Sequence, residues 1–412
     1  MAATDQVKRL LGDRRGAIAL IFAASTPVIV GSVGLAVDTI QWTTAKRQIQ
    51  RQADSGAIAG AYGLAQSANV RATVTSDIAK NNFVDLATAP VIENAPTVGP
   101  FAGNARAVRV ALAAEMRLPF SSILMTEPVR ISAEATAALV SNGEYCAISL
   151  ESGNTTGINM TGNATIDLNC GMATNSVSAN SVSAGGSSRI TASPIMGVGG
   201  LRPSSNYGPG TVLIPYGVPQ PDPFAALPGT FPLGSNQNGN VGSNQTRTLN
   251  PGTYNNFRLQ GNVTLNPGIY YLNGTDFDVG SQARVSGSGV VIILTGSGPA
   301  NIGQANINGG ATINLTAPTT GTYAGVLFYQ DRRAPATNQT NKMNGNSTST
   351  FRGAMYFPNQ ELQFNGTTGM NTNCIQLVAR RLTFTGNSTV SNVCPSGSGS
   401  RAFLGTAVRL VG

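Results

Sequence analysis

The feature that most constrains the fold is an uncharged apolar run near the start of the chain. Residues Gly16 to Val37 read GAIALIFAASTPVIVGSVGLAV, 22 residues without a charged side chain. As a helix the run would be roughly 33 Å long, enough to cross the hydrocarbon core of a bilayer. Lys8, Arg9, Arg14 and Arg15 precede it, so the positive-inside rule predicts a cytoplasmic N-terminus.

A cleaved signal peptide is the alternative explanation of this run. The run is long for the apolar region of a signal peptide, and no small-residue cleavage site directly follows a short apolar core. The sequence therefore favours an uncleaved anchor: a cytoplasmic N-terminus over 1–16 and a transmembrane helix over 17–37. The rest of the chain is then expected to lie outside the cytoplasm.

The helical pattern continues beyond the predicted membrane span. Small or apolar residues recur every three or four positions, the spacing of one helix face: Trp42, Ala45, Ile49, Ala53, Ala57, Ala61 and Leu64. The pattern predicts one continuous helix over 17–66, with an extracytoplasmic stalk over 38–68. Pro27 lies inside it, as membrane helices tolerate.

The stretch RRGAIALIFAASTPVIVGSVGLAVDTIQWTTAKRQIQRQADSGAIAGA resembles the N-terminal region of TadE/TadG-like Flp (Tad) pilus-assembly proteins of bacteria. The matching positions include Gly16 opening the run, Pro27 within it, Asp38 closing it, and Asp54. The resemblance implies a cell-envelope protein anchored in a bacterial inner membrane, with the bulk of the chain periplasmic or extracellular and with pilus-assembly proteins as partners. The Asp-x-Ser-x-Ser metal motif of larger family members is absent from this sequence, so no metal or other cofactor is expected.

A small α/β segment is predicted over 69–140. A helix is expected over 74–86 and a short helix over 120–125. Alternating apolar residues predict strands over 105–116 and 129–140.

The remainder of the chain repeats a short phrase at a period near 20 residues. An apolar residue, a spacer, Gly-Asn and small residues recur as MTGNATI, LQGNVTL, MNGNSTS and FTGNSTV. Gly and Asn tolerate the backbone conformations of tight corners, and such a period is typical of stacked coils. The pattern predicts a right-handed parallel β-helix over 141–396, followed by a tail over 397–412; a β-sandwich is the alternative. Core strands are expected over 289–294, 324–329, 353–357 and 375–378.

One region breaks this pattern. Residues 194–251 hold ten of the 22 prolines, including PYGVPQPDPFAALPGTFPLG. We expect an extended excursion over the coils, held by Phe224, Leu227 and Phe231. Several parts of the repeat region also resemble the C-terminal repeats of TadG-like proteins: Cys146 to Cys170, Asp222-Pro223-Phe224, 266–270, Tyr323 to Arg333 and Gly353 to Cys394.

Four cysteines lie beyond the predicted membrane span, which favours disulfides in an exported domain. Four cysteines allow three connectivities. The separations of 24 and 20 residues equal about one coil, and neighbouring coils lie within disulfide reach. This spacing predicts Cys146–Cys170 and Cys374–Cys394. A thiolate metal site is disfavoured because there is no CxxC pair.

The composition restricts the catalytic chemistry. The chain has no histidine, which excludes Ser-His-Asp and Cys-His catalysis and His-ligated metals. Because many β-helices cleave polysaccharides, Asp276, Asp278 and Asp331 are weak acid-base candidates. The favoured interpretation places Asp276 and Asp278 on a solvent face and Asp331 in a turn with its arginine neighbours. Asn at these three surface positions is then expected to cost little stability.

The sequence therefore favours a structural or adhesive protein over an enzyme. A membrane-anchored β-helix that binds or cleaves a surface polysaccharide is the alternative. No nucleic-acid partner is expected, because the net charge of +8 is scattered over the chain. Among the basic residues beyond 140, only Arg332-Arg333 and Arg380-Arg381 are adjacent.

Overall fold

The computed structural model describes residues 17–123, 125–336, 339–344, 346, 348–366, 375–391 and 402–412. The chain is mainly β, as predicted, with 41% of the described residues in strands and 18% in helices. It forms two compact units. Unit 1 comprises the chain up to Val140 together with Val408–Gly412, and unit 2 comprises Ser141–Ala407.

Unit 1 contains the long helix α1, Ala17–Ala65, which is continuous as predicted and has Pro27 inside it. The second helix, α2, spans Val70–Lys80 rather than the predicted 74–86. The earlier start follows from Asn69, whose side chain accepts a hydrogen bond from the amide of Ala72 and caps the helix. A 3-10 turn covers Ser121–Ile123, within the predicted short helix.

An antiparallel sheet packs against these helices. Its strands are β1, Val91–Asn94, β2, Ala107–Met116, and the first part of β3, Val129–Ser149. One face of α1 is fully or almost fully buried, and consists of Ala45, Ile49, Ala53, Ala57 and Ala61. Gly60 allows a close approach to α2 and β2, because a Cβ there would lie 2.8 Å from side-chain carbons of Val74 and Val108.

The remaining strands belong mostly to unit 2 and are short. They are β4, Ile158–Met160; β5, Thr165–Asp167; β6, Gly171–Thr174; β7, Val182–Ala184; β8, Arg189–Thr191; β9, Ile195–Gly197; β10, Leu213–Ile214; β11, Asn236–Asn238; β12, Thr246–Leu249; β13, Gly252–Asn256; β14, Arg258–Leu259; β15, Asn262–Leu265; β16, Gly268–Asn273; β17, Phe277–Val279; β18, Arg284–Ser288; β19, Val290–Thr295; β20, Ala305–Ile307; β21, Thr312–Thr316; β22, Val326–Gln330; β23, Thr340–Met343; β24, Thr350–Gly366; β25, Ile375–Gly386; β26, Thr389–Ser391; and β27, Phe403–Leu410. The last of these lies in the segment predicted as a tail.

The strands of unit 2 form parallel ladders. Within a ladder, neighbouring strands are mostly three apart in chain order. One ladder joins β12, β15, β18, β21 and β24; a second joins β13, β16, β19, β22 and β24; a third joins β14, β17, β20, β23 and β24. The pattern is compatible with the predicted parallel β-helix. A sandwich of antiparallel sheets would not produce parallel ladders.

Two of the Gly-Asn phrases, those of Gly162 and Gly386, form corners that lie on top of one another, and Gly186 continues the column. Gly386, Gly162 and Gly186 have φ angles of 68°, 75° and 66°, a region that favours glycine. A Cβ at Gly162 would lie 3.0 Å from the carbonyl oxygen of Gly386, and one at Gly186 would lie 2.9 Å from that of Gly162. The repeated glycine therefore meets both a backbone and a packing requirement.

The coils do not stack in the order of the sequence. Strand β25 pairs in parallel with β3, placing Val378 beside Ile148, and β3 then pairs with β6 and β6 with β9. The first coil of unit 2 therefore lies next to the last described coil. The order of the coils in the stack therefore differs from their order along the chain.

A disulfide joins Cys146, in β3, to Cys170, which directly precedes β6 in the neighbouring coil. Their Cα atoms are 5.9 Å apart. It is the pairing predicted for these two residues. The predicted Cys374–Cys394 pair lies outside the described residues.

We expect the Cys146→Ala, Cys170→Ala double variant to lower the free energy of unfolding by about 3 kcal/mol. The bridge closes a 24-residue loop, so its loss frees chain entropy mainly in the unfolded state. Urea unfolding of the full chain in mild detergent, followed by circular dichroism, measures the change. The wild-type protein under reducing conditions should match the variant. Equal midpoints for oxidised wild type and variant would contradict the expectation.

A Pro-rich segment, residues 215–235, returns the chain from one end of the stack to the other. One column of paired residues runs Asn236, Thr253, Tyr271, Ile293, Tyr329, Tyr356, Val378, Ile148, Ala173, Met196, Ile214. The ten steps of this column span about 48 Å. The 22 residue-to-residue steps of the chain from Ile214 to Asn236 reach about 68 Å when extended, which is long enough to cover that distance. We call residues 215–235 the strap. The predicted excursion over 194–251 is thus shorter, because strands occupy both its ends.

The strap covers an apolar outer face of the coils. Its Phe224, Leu227 and Phe231 are partly buried against this face, and they are the three side chains that the sequence indicated. Phe224 makes an edge contact with Tyr356 at 5.3 Å between ring centroids, and Phe231 makes one with Tyr329 at 5.9 Å. The strap is therefore a packed part of unit 2.

Candidate functional site

The first part of α1 exposes apolar side chains on all its sides. Ile18, Phe22 and Val28 are 78%, 70% and 68% exposed, and a window of this helix reaches a mean hydropathy of 2.1 with none of it buried. A helix that is apolar all round is suited to a lipid environment. This part of α1 is therefore a candidate membrane anchor.

The transition from the exposed to the packed part of α1 occurs at Asp38. This side chain is only 3% exposed. Its carboxylate accepts hydrogen bonds from the amide of Phe120 at 3.0 Å and from both the amide and the hydroxyl of Ser121. One turn earlier, a Cβ at Gly34 would overlap the ring of Phe120, so that ring lies directly against the helix backbone. We call Gly34, Asp38, Phe120 and Ser121 the clamp.

The clamp is built for an ionised carboxylate. Burial acts to raise the pKa of Asp38, but the hydrogen bonds from the Ser121 hydroxyl and from the amides of Phe120 and Ser121 outweigh it. The pKa of Asp38 therefore lies below its ordinary value of 3.8. An ionised carboxylate can accept all three hydrogen bonds, whereas a protonated one would lose acceptor capacity.

We expect Asp38→Asn to release the clamp, because an amide has one acceptor oxygen and its NH2 group would face the Ser121 amide. The amides of Phe120 and Ser121 should exchange hydrogen on the order of tenfold faster. In the wild type, the ionised Asp38 carboxylate stabilises the folded state above pH 3.8. This stabilisation is lost as the pH falls through the lower pKa that Asp38 has in the folded state. Hydrogen exchange on the detergent-solubilised full chain measures both effects.

The matched control for this variant is Asp54→Asn. Asp54 lies on the same helix and accepts a hydrogen bond from the Gln50 side chain at 2.9 Å. It should leave exchange at Phe120 and Ser121 unchanged. Equal effects of the two variants would contradict the assignment of the clamp to Asp38.

Two other positions of the family pattern, Gly16 and Pro27, do not contribute to the clamp. Pro27 is in the exposed apolar part of α1, and Gly16 lies outside the described residues. No pattern in the sequence connects Phe120 and Ser121 with Asp38. The amides of Phe120 and Ser121 are 82 and 83 residues away in the chain, and no local spacing reveals such a contact.

The two acidic side chains of the β17 region are engaged in structural bonds. Asp276 accepts a hydrogen bond from the amide of Gln304 at 2.8 Å. Asp278 forms an ion pair with Arg258 at 3.3 Å. Asp276 is exposed and Asp278 is half-buried, as expected for a solvent face.

Asp331 was expected at the surface but is buried. Its side chain is 1% exposed, 2.7 Å from the Arg333 guanidinium and 2.8 Å from the Thr295 hydroxyl. It also caps the predicted turn, accepting from the amide of Arg333. Burial acts to raise the pKa of Asp331, but these hydrogen bonds lower it overall. Asp331 therefore lacks the surface position on which the small cost of Asn was predicted, and we expect Asn to cost more here than at Asp276 or Asp278.

Four tyrosines of unit 2 lie in the core and offer no exposed ring on which a sugar could stack. Tyr254, Tyr270, Tyr329 and Tyr356 are each at most 1% exposed. Among the described parts of the chain, no group of three or more His, Cys, Asp or Glu side chains could hold a metal ion.

The comparisons with known proteins concern the same helix. Residues 16–74 match a family model described as Tad, putative Flp pilus-assembly TadE/G-like. The TadE/G-like resemblance of the N-terminal segment is confirmed. No curated protein and no solved structure matches the chain.

The Tad segment, residues 16–74, contains all of α1 and the start of α2. It therefore includes the candidate anchor and Asp38 of the clamp. It does not include Phe120 or Ser121. The Tad match associates the chain with Flp pilus assembly and a membrane anchor.

Proposed function

We propose that the protein is a structural component of Flp pilus assembly in the bacterial cell envelope. Residues 17–37 span the inner membrane, residues 1–16 are cytoplasmic, and the chain beyond residue 38 is outside the cytoplasm. The observation that carries the proposal is the change of environment along α1. Its apolar first part is exposed on every side, whereas the part beyond Asp38 packs against a sheet.

Two further observations support this orientation. Four basic residues precede the apolar run, which favours retention of that end in the cytoplasm. Unit 2 contains the Cys146–Cys170 disulfide, and such bonds persist in exported compartments rather than in a reducing cytoplasm.

The role proposed for unit 2 is to present a structural or adhesive surface to pilus-assembly proteins. Its three acid-base candidates support this role, because each one bonds to a neighbouring backbone or side-chain group. The competing role is binding or cleavage of a surface polysaccharide. Cleavage would require two carboxylates free to act on one sugar.

The test uses a Flp-piliated host that lacks its own copy of the protein. The full-length chain and its Asp276→Asn, Asp278→Asn double variant are expressed at equal levels, and pili are counted by electron microscopy. Asp331 is left intact because it is buried. We expect both chains to restore piliation equally. Loss of pili with the folded double variant, together with shortening of a polysaccharide by the wild type, would establish the enzymatic role instead.

A further inference from the structure

Apolar side chains project from the segment that the clamp attaches to α1. Ile123, the last residue of the 3-10 turn Ser121–Ile123, is 75% exposed, and Met125, two residues later, is 52% exposed. Hydrogen bonds from the amide of Ile123 to the Phe120 carbonyl and from the amide of Met125 to the Ser121 carbonyl order this segment. The exposed apolar groups therefore belong to a defined turn.

The clamp places this turn at the end of the membrane-spanning run. Phe120 contacts Gly34, which is inside the apolar run, and Ser121 binds Asp38, the first residue beyond it. Gly34, Asp38 and Trp42 follow one another at intervals of four residues, so they share one face of α1. Trp42 is 42% exposed, and tryptophan is enriched at the boundary between membrane and water.

We propose that Ile123 and Met125 insert into the interfacial layer of the same bilayer that α1 spans. The inference rests on the proposed anchoring function and adds a second, non-helical contact with lipid. Lipid is the expected contact of these side chains because they adjoin, through Phe120 and Gly34, a helix surface that itself faces lipid. Contact with lipid on both sides of the clamp would restrict rotation of unit 1 about the axis of α1.

The test measures the depth of an indole placed at this turn. The full-length Trp42→Phe, Ile123→Trp variant is reconstituted into phosphatidylethanolamine and phosphatidylglycerol vesicles with or without brominated acyl chains. We expect blue-shifted emission that loses about half its intensity in the brominated lipid, because interfacial apolar groups lie roughly 5–10 Å deep. Adding Asp38→Ala to this variant should reduce the quenching by freeing the turn.

The matched control is the Trp42→Phe, Val98→Trp variant. Val98 is 53% exposed in the loop that follows β1. The last residue of β1, Asn94, pairs with Val108, which lies beside Gly60, about 39 Å along α1 from Gly34. Its indole should emit as in water and show no quenching.

Two outcomes distinguish insertion of the turn from anchoring by α1, the function on which the inference rests. If the Ile123→Trp variant stays in the vesicles through alkaline extraction but is quenched no more than the Val98→Trp control, the inference is wrong and the anchor stands. A turn covered by a protein partner in the cell would give this same result in vesicles. If alkaline extraction removes the protein from the vesicles, the anchoring function itself fails.

Discussion

The Val28→Arg, Ile29→Arg double variant is expected to abolish stable membrane attachment. Val28 and Ile29 are near the middle of the apolar run and are 68% and 56% exposed, so their replacement removes few contacts within the protein. Each arginine near a helix centre costs about 2.5–3.5 kcal/mol of insertion free energy. Two arginines together should cost roughly 5–7 kcal/mol, and no second apolar helix of spanning length occurs among the described residues.

Alkaline carbonate extraction of membranes measures this effect. The wild type should stay in the pellet, and the double variant should be released into the supernatant or fail to accumulate. The Gln66→Arg, Thr75→Arg variant makes the same change of charge at exposed positions beyond the run, and it should stay in the pellet. A double variant that remains as resistant to extraction as the wild type would show that another part of the chain holds the membrane.

Tyr356→Ala is expected to detach the strap and to destabilise unit 2. The Tyr356 hydroxyl donates to Asp222 of the strap at 2.6 Å and accepts from the Arg332 side chain at 2.9 Å. Arg332 in turn donates to the carbonyl oxygens of Phe224 and Leu227 in the strap. Truncation of a fully buried aromatic side chain typically costs about 3–5 kcal/mol, and here it also leaves Asp222 without its hydroxyl partner.

Thermal unfolding of the full chain and limited proteolysis measure the two effects. Tyr356→Ala should unfold at a lower temperature, and its first cleavages should map to residues 215–235. Tyr356→Phe removes only the hydroxyl group and should cost about 1–3 kcal/mol. Tyr216→Ala is the control, because Tyr216 is in the strap but 71% exposed, and it should cost less than about 0.5 kcal/mol. If Tyr356→Ala and Tyr216→Ala behave alike, the strap is held elsewhere.

Local sequence patterns account for the elements that were predicted well. The apolar run and the regular spacing of small residues depend on one helix alone, so they gave α1 to within one residue of its end. The Gly-Asn corners at Gly162 and Gly386 likewise reflect a local backbone requirement, a positive φ angle that favours glycine. These signals require no knowledge of the rest of the chain.

The order of the coils could not be predicted, because every coil offers a similar parallel edge. The contact of Val378 with Ile148 is chosen by the packing of whole coils, and the two residues are 230 positions apart in the sequence. The strap follows from this order, since the chain must return along the stack. The burial of Asp331 was missed for a related reason: its partner Thr295 belongs to a different coil.

In the candidate site, one half of the clamp was visible in the sequence. Asp38 ends the apolar run and belongs to the family pattern, whereas Phe120 and Ser121 are brought to it only by the packing of β2 and β3 beside α1. A carboxylate that ends a membrane span is one signal that such a partner should be sought.

The most direct test of the account is the location of unit 2 relative to the membrane. Alkaline phosphatase, which is active only outside the cytoplasm, is fused after Gly412 of the full-length chain in a bacterial host. We expect an active fusion that remains in the carbonate-resistant membrane pellet. An inactive phosphatase fusion, together with a fluorescent cytoplasmic reporter at the same position, would place unit 2 in the cytoplasm and contradict the account.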